Sequence, residues 1–163
     1  MEFTTFLLGE KRSQIRLRSK IKYDMFSIDL NKHIIKNNVF LIDEGTKFFD
    51  FIGDQGPLKF MSERFKNLIE ENNIKGLEFF PIIIEGIDLN YYYYIEDECN
   101  SFYERDEDGD RVYGSFQIDL SSWSGTDIFY LKDSGATVCT LRVKEIIEKA
   151  KITNVEFEEL SKY

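Results

Sequence analysis

The chain has 163 residues, 42% of them hydrophobic and 15% aromatic, and its 30 acidic and 21 basic side chains give a net charge of −9. These proportions argue against a disordered chain, and no apolar run approaches the roughly 18 residues that a membrane-spanning helix needs. The acidity argues against nucleic acid as a partner, because carboxylates repel phosphates.

The charge is also uneven. Residues 1–40 carry eight basic and four acidic groups, which leaves −13 on the remainder. Such a surface keeps a protein dispersed and attracts a basic partner. A chain of this length suits one domain, 1–163, burying about 70% of the surface its unfolded form exposes. Phe3–Leu8 is too short for a signal-peptide core, and its basic residues follow instead of preceding it, so a cytoplasmic protein is expected. Cys99 and Cys139 are then expected to be reduced and structural. With a single His, the Cys and His ligands are too few for a zinc centre, and no metal or cofactor is expected.

In chain order, Glu2–Leu8 reads as a strand closed by a turn at Gly9. Gln14–Tyr23 alternates strictly: Ile15, Leu17, Ser19, Ile21 and Tyr23 share one face, and Gln14, Arg16, Arg18, Lys20 and Lys22 the other. That cationic row reads as a solvated or edge-protecting face, with the chain's own acidic segments as its neighbours. Leu30, Ile34 and Ile35 suggest a short helix closed by Asn37-Asn38, with His33 inside it as a structural or surface residue. Val39–Ile42 reads as a strand, and Lys47–Ile52 as a short helix before the Gly53–Pro57 turn.

Leu58–Ile82 and Ala136–Leu160 then repeat one another without a gap, at a constant offset of 78 residues. Arg64, Lys66, Ile69, Glu70, Ile74, Glu78 and Phe79 recur as Arg142, Lys144, Ile147, Glu148, Ile152, Glu156 and Phe157. Each copy predicts a strand, a hydroxyl N-cap (Ser62, Thr140) that accepts the first free helical amides, and a helix of about three turns. A reversal at Gly76 or Asn154 and a second strand follow. Leu77–Ile84 is apolar enough to predict a strand covered on both faces, although Pro81 lacks a ladder amide. Asn90–Ile95 is an aromatic strand whose alternate tyrosines point to opposite faces, Tyr92 and Tyr94 being candidate interface anchors.

The segment Glu96–Asp127 is acidic. Glu96, Asp97, Glu98, Glu104, Asp106, Glu107, Asp108 and Asp110 are candidate partner-binding residues, with only Arg105 and Arg111 of opposite sign. A calcium-loop frame starting at Glu104 places Gly109 at its sixth position but Ser115 at its twelfth, where glutamate is needed, so Asp108-Gly109 is read as a hairpin turn. Val112–Leu120, Thr126–Leu131 and Thr137–Thr140 are further predicted strands. The resulting fold class is α+β: a mostly antiparallel sheet with two helices from an internally duplicated strand–helix–strand unit. Its parts are N-terminal strands (1–45), a first half (46–95) and a second half (96–163).

This arrangement resembles the immunity proteins of bacterial polymorphic toxin systems, of the immunity family eleven and forty-three type. The resemblance runs over residues 46–160. In the first half it rests on Asp50-Phe51, Phe60 to Phe65, Leu68, Gly76, Phe79 and Pro81-Ile82. In the second it rests on Asp127-Ile128-Phe129, the strand around Val138, and Leu141 to Phe157. The chain departs from the family pattern at Tyr130, where Arg is usual, and at Glu96, where Asn is frequent. The resemblance implies a non-enzymatic protein that neutralises a cognate toxin C-terminal domain by stoichiometric binding, with no nucleic acid or membrane partner. Small-ligand binding or an enzyme with an unrecognised site is the alternative. None of the common hydrolase or nucleotide-binding signatures is present. A third reading, an acidic decoy for nucleic acid, would need carboxylates spaced like phosphates.

Overall fold

The computed structural model describes residues 2–162. The order is β1 (Phe3–Thr5), β2 (Leu7–Leu8), β3 (Arg16–Ser19), α1 (Leu30–Lys36), β4 (Val39–Glu44), β5 (Phe51–Asp54), β6 (Lys59–Ser62), α2 (Glu63–Glu71), β7 (Leu77–Ile84) and β8 (Tyr91–Cys99). β9 (Ser101–Phe102), β10 (Gln117–Ile118), β11 (Ile128–Leu131), β12 (Ala136–Thr140), α3 (Leu141–Lys149) and β13 (Val155–Glu156) follow, with a short 3-10 turn at Leu160–Lys162. The class is mixed α and β, with three α-helices among the described residues: the short one expected around Leu30–Ile35 and the two expected after Ser62 and Thr140.

The sheet closes on itself. Six strands run in the order β8, β6, β5, β3, β4, β7, and β7 returns to β8 through the register Leu77↔Glu96 to Ile82↔Tyr91. Most pairs are antiparallel; β3–β5 and β4–β7 are parallel. Closure leaves these six strands without the exposed edges of an open sheet. Alternation then sorts the side chains. Ile52 and Phe60 face the barrel interior with Leu17, Phe40, Ile84 and Tyr93, and Ile34 of α1 packs against the same cluster. Phe51 and Met61 face outward, into a second core built with Phe65 and Ile69 of α2 and Val143 and Ile147 of α3. Beyond the barrel, β11 joins β8 in parallel, and β12 and β1 extend that wing.

Both helices of the second core are held by the same kind of contact. Arg64 donates to Asp50 Oδ2 at 2.6 Å and to the carbonyl of Ala150, at the end of α3. Arg142 donates to Asp127 Oδ1 at 3.3 Å and to the carbonyl of Asn72, at the end of α2, at 2.6 Å. Each arginine thus satisfies a free carbonyl at the negative end of the other helix. Asp50 Oδ2 and Asp127 Oδ2 accept the amides of Thr153 and Lys75, each at 3.0 Å. Gly76 turns at φ +113°, and a Cβ there would lie 1.8 Å from the Ile128 carbonyl oxygen, so only glycine fits. Asn154 turns at φ +65°, and its side chain donates to the Phe51 carbonyl at 2.8 Å.

Several sequence expectations need correction. Ser62 caps α2, its Oγ accepting from Phe65 N at 3.1 Å, but Thr140 makes no side-chain cap, and its hydroxyl is buried without a partner. Lys47–Ile52 is not helical. Its backbone is drawn into extended pairings, the Lys47 carbonyl accepting from Ile15 N and Asp50 N donating to Thr153 Oγ1. β7 is covered on both faces only along its first part: Phe80, Ile82 and Ile84 pack with the barrel cluster and Leu77 and Phe79 against the second core, whereas Ile83 is 55% exposed. β3 is four residues long, and Ile21 beyond it is exposed. Its cations do meet the chain's own carboxylates: Arg16 pairs with Glu44, Arg18 with Asp43 and Lys20 with Glu85. Such exposed pairs contribute about 0–1 kcal/mol each. Val112–Leu120 keeps only the two residues of β10, because Gly114 turns at φ +79° and Ser115 Oγ donates to the Val112 carbonyl.

Candidate partner-binding surface

β8 continues four residues past the expected aromatic strand, through Glu96, Asp97 and Glu98 to Cys99. Acidic residues disfavour strands, but β7 pairs as far as Glu96 and β11 takes over at Asp97, so the ladder carries them. β6 leaves β8 at Phe60↔Tyr93. Along the stretch of β8 beyond that pairing opens a cleft of about 540 Å³, walled by Leu30 and Asn31 of α1, Pro57 to Lys59, Tyr130, Gly135 and Thr137.

Glu96 is the chemical centre of the cleft. Thr137 donates its hydroxyl to Glu96 Oε1 at 2.6 Å. Burial pushes the Glu96 carboxyl above its ordinary value, against the opposing pulls of that hydrogen bond and the Lys59 charge. Its neighbour Glu98 is exposed and paired with Lys132 at 3.0 Å. Tyr93 donates to Asn31 Oδ1, and its phenol is pushed up to about 12, first by burial and then by the charges of Glu96, Tyr23 and Asp29.

Of the two candidate anchors, Tyr92 is half-buried with the Lys66 ammonium 5.0 Å from its ring centroid. Tyr94 is buried beside Phe51 and Phe79, and its hydroxyl has no partner. It lies in the core and offers no ring to a partner.

The remaining acidic candidates lie on an arm between β8 and β11. β9 and β10 pair at its base, and Arg105 bridges to Arg111 near its tip. The tip is a tight turn: Asp106 accepts from the amides of Asp108 and Asp110 through one carboxylate oxygen, and Gly109 has φ +85°. Asp106 therefore holds the turn, whereas Glu104, Glu107, Asp108 and Asp110 are exposed and unpaired among the described residues. Arg105 and Arg111 both stack on Tyr103, 4.9 and 4.2 Å from its centroid, and Arg111 also donates to the Asp133 carbonyl.

Sequence reasoning missed the apolar part of this arm. Phe102 (51%), Tyr113 (78%) and Leu120 (61%) are exposed among the carboxylates. Phe102 and Tyr113 flank the acidic turn on either side, a pattern that would have marked them. It also missed Lys59, Tyr130 and Thr137, which come from three elements and share no sequence signal. His33 packs against Tyr23 at 4.6 Å and Cys99 and Cys139 are buried and unbonded to each other, so these serve packing. No group of three or more metal-ligating side chains gathers among the described residues, and no described helix is long and apolar enough to cross a membrane.

Compared with known proteins, the sequence matches the family model described as immunity protein family (Imm11) over residues 36–162. No curated protein matches the chain.

Proposed function

The chain belongs to the Imm11 immunity protein family, and on that premise we propose that it neutralises a cognate bacterial toxin by direct, stoichiometric binding without catalysis. The match over residues 36–162 carries this reading, since it takes in the β7–β8 closure, both helices of the second core, all of the cleft but its α1 wall, and the arm. The expected partner is a toxin C-terminal domain of basic surface, met in the cytoplasm. The acidic character of the chain and the arm's exposed carboxylates support that expectation. We also read the two strand–helix–strand units as an internal duplication. The exchange of arginine contacts between Arg64 and Arg142 supports it.

The arm is the first docking surface. Phe102 and Tyr113 supply apolar contact area, and Glu104, Glu107 and Asp108 supply a charged rim. Asp110 belongs to the same acidic turn, and Asp97 and Glu98 add charge on opposite faces of β8. Rim charges act mainly on the association rate. Reversing Glu104, Glu107 and Asp108 to Lys should therefore slow association and flatten its salt dependence. Asp106 is left intact because it holds the turn. Tyr113→Ala should instead speed dissociation, by roughly 30-fold if it is a hot spot worth about 2 kcal/mol.

The test is co-expression with the C-terminal domain of the toxin encoded beside the gene, scored by survival and by co-purification. A stable complex and survival together are expected. Survival with no complex would favour the second reading, a ligand-binding protein or enzyme using the cleft, whose volume lies in the usual range for small ligands.

A further inference from the structure

We propose that the cleft around Glu96 receives an arginine side chain of the toxin, with Glu96 as its carboxylate partner and Tyr130 as an aromatic wall. This deepens the immunity reading and rests on it. Glu96 Oε1 is occupied by the Thr137 hydroxyl, and the carboxylate makes no ion pair within 4 Å among the described residues, whereas Glu98 on the rim already has Lys132. Lys59 lies near enough to offset part of the charge without touching it. A partly desolvated carboxylate without a contacting cation is costly, and a cation entering the cleft removes that cost.

The walls narrow the choice of cation. Leu30 and Ile95 line the cleft beside Glu96 and suit an aliphatic stem, while Tyr130 offers a ring face. A planar guanidinium can meet a carboxylate oxygen through two N–H groups and stack on an aromatic ring at once, which a compact ammonium cannot. An anionic occupant would meet both Glu96 and Glu98. A neutral one would leave the Glu96 charge as it is.

The probe is N-acetyl-arginine methylamide, titrated against the whole protein while the backbone NMR signals of Glu96, Tyr130 and Thr137 are followed. Its citrulline counterpart, of the same shape but uncharged, is the control. Saturable shifts at these residues are expected for arginine and none for citrulline. Glu96→Gln should weaken binding at least tenfold. Lys59→Met, which removes a like charge, should strengthen it several-fold, a gain that a misfolded variant would not give. Equal response to citrulline, or affinity unchanged by either substitution, overturns the proposal.

A second arm uses the co-expressed toxin domain. Glu96→Gln and Tyr130→Ala should each raise its dissociation rate about tenfold or more. A complex that forms but ignores both substitutions sinks the cleft proposal and leaves the immunity reading standing. Failure to form any complex sinks the immunity reading, and with it the toxin side chain as occupant.

Discussion

One face of the β8–β11–β12 wing is used in two ways. At one end Tyr94, Ile128 and Cys139 lie under α2 and α3, in a core with Phe51, Phe65, Val143 and Ile147. A few residues along the same strands, Glu96, Tyr130 and Thr137 lie beyond those helices and line an open cleft. The covered end is apolar and anchored by arginine contacts to the helix ends. The open end carries a carboxylate raised by burial and a ring that contributes little to the core. The contrast separates residues that hold the fold from residues free to meet a partner, although both sit on the same strands.

The largest expected effect breaks the covered end. Phe65→Ala or Ile147→Ala should lower stability by about 3–5 kcal/mol in denaturant titration, through lost burial and an unfilled cavity. Tyr130→Ala at the open end should cost less than about 1 kcal/mol. Comparable losses at both ends would erase the distinction.

Next in size is the anchor beneath the helices. Asp50 is buried and accepts from Ser62 Oγ, Arg64, and the amide and hydroxyl of Thr153. Asp50→Ala should cost about 2–3 kcal/mol, because charge-assisted bonds are lost and buried donors are left unpaired. Asp127 accepts from Lys75 N and Arg142 and is more exposed, so Asp127→Ala should cost less. A reversed order would show that the two junctions are not balanced as described.

Smaller still is the orphan hydroxyl of Tyr94, buried without a partner. Tyr94→Phe should raise stability by about 1 kcal/mol, since it removes only an unsatisfied polar atom. A loss of stability would mean that the hydroxyl has a partner.

The smallest effect is a pH dependence at Glu96. Its carboxyl is raised in the folded protein, so the folded state holds the proton over a range in which the unfolded chain has released it. Stability from this group is therefore present at low pH and falls as pH rises from the ordinary carboxylate range through the raised value. Lys59, and Glu98 with its partner Lys132, are the charged groups nearby, and the phenols of Tyr93 and Tyr94 stay neutral throughout. Glu96→Gln should flatten that slope and leave the protein slightly more stable at neutral pH. Thermal melts of both proteins, followed from the ordinary carboxylate range upward through neutral pH, measure the difference. Parallel curves would contradict it.

Much of the covered end was legible in sequence, because local chemistry fixes it. The Ser62 cap and apolar spacing placed α2, apolar spacing alone placed α3, and β7 runs over the residues its apolar density indicated. Barrel closure was not legible, since β7 meets β8 through a ladder that leaves no periodic mark of its own. Tyr94 was misjudged because strand alternation says which residues share a face, not which face α2 and α3 will cover. Glu96 read as the start of an acidic segment, and its neighbours β7 and β11 make it part of a strand. The cleft joins Lys59, Glu96, Tyr130 and Thr137 from separate elements, so no spacing could assemble it.

On the proposed reading, protection comes from a physical complex. Its most direct measurement is the molar mass, by light scattering during size exclusion, of this protein co-purified with the toxin domain encoded beside it. A single species with the mass of a stoichiometric complex is predicted, along with a loss of protection under the substitutions that dissociate it. Full protection of the cell by a protein that elutes free of the toxin domain would contradict that reading.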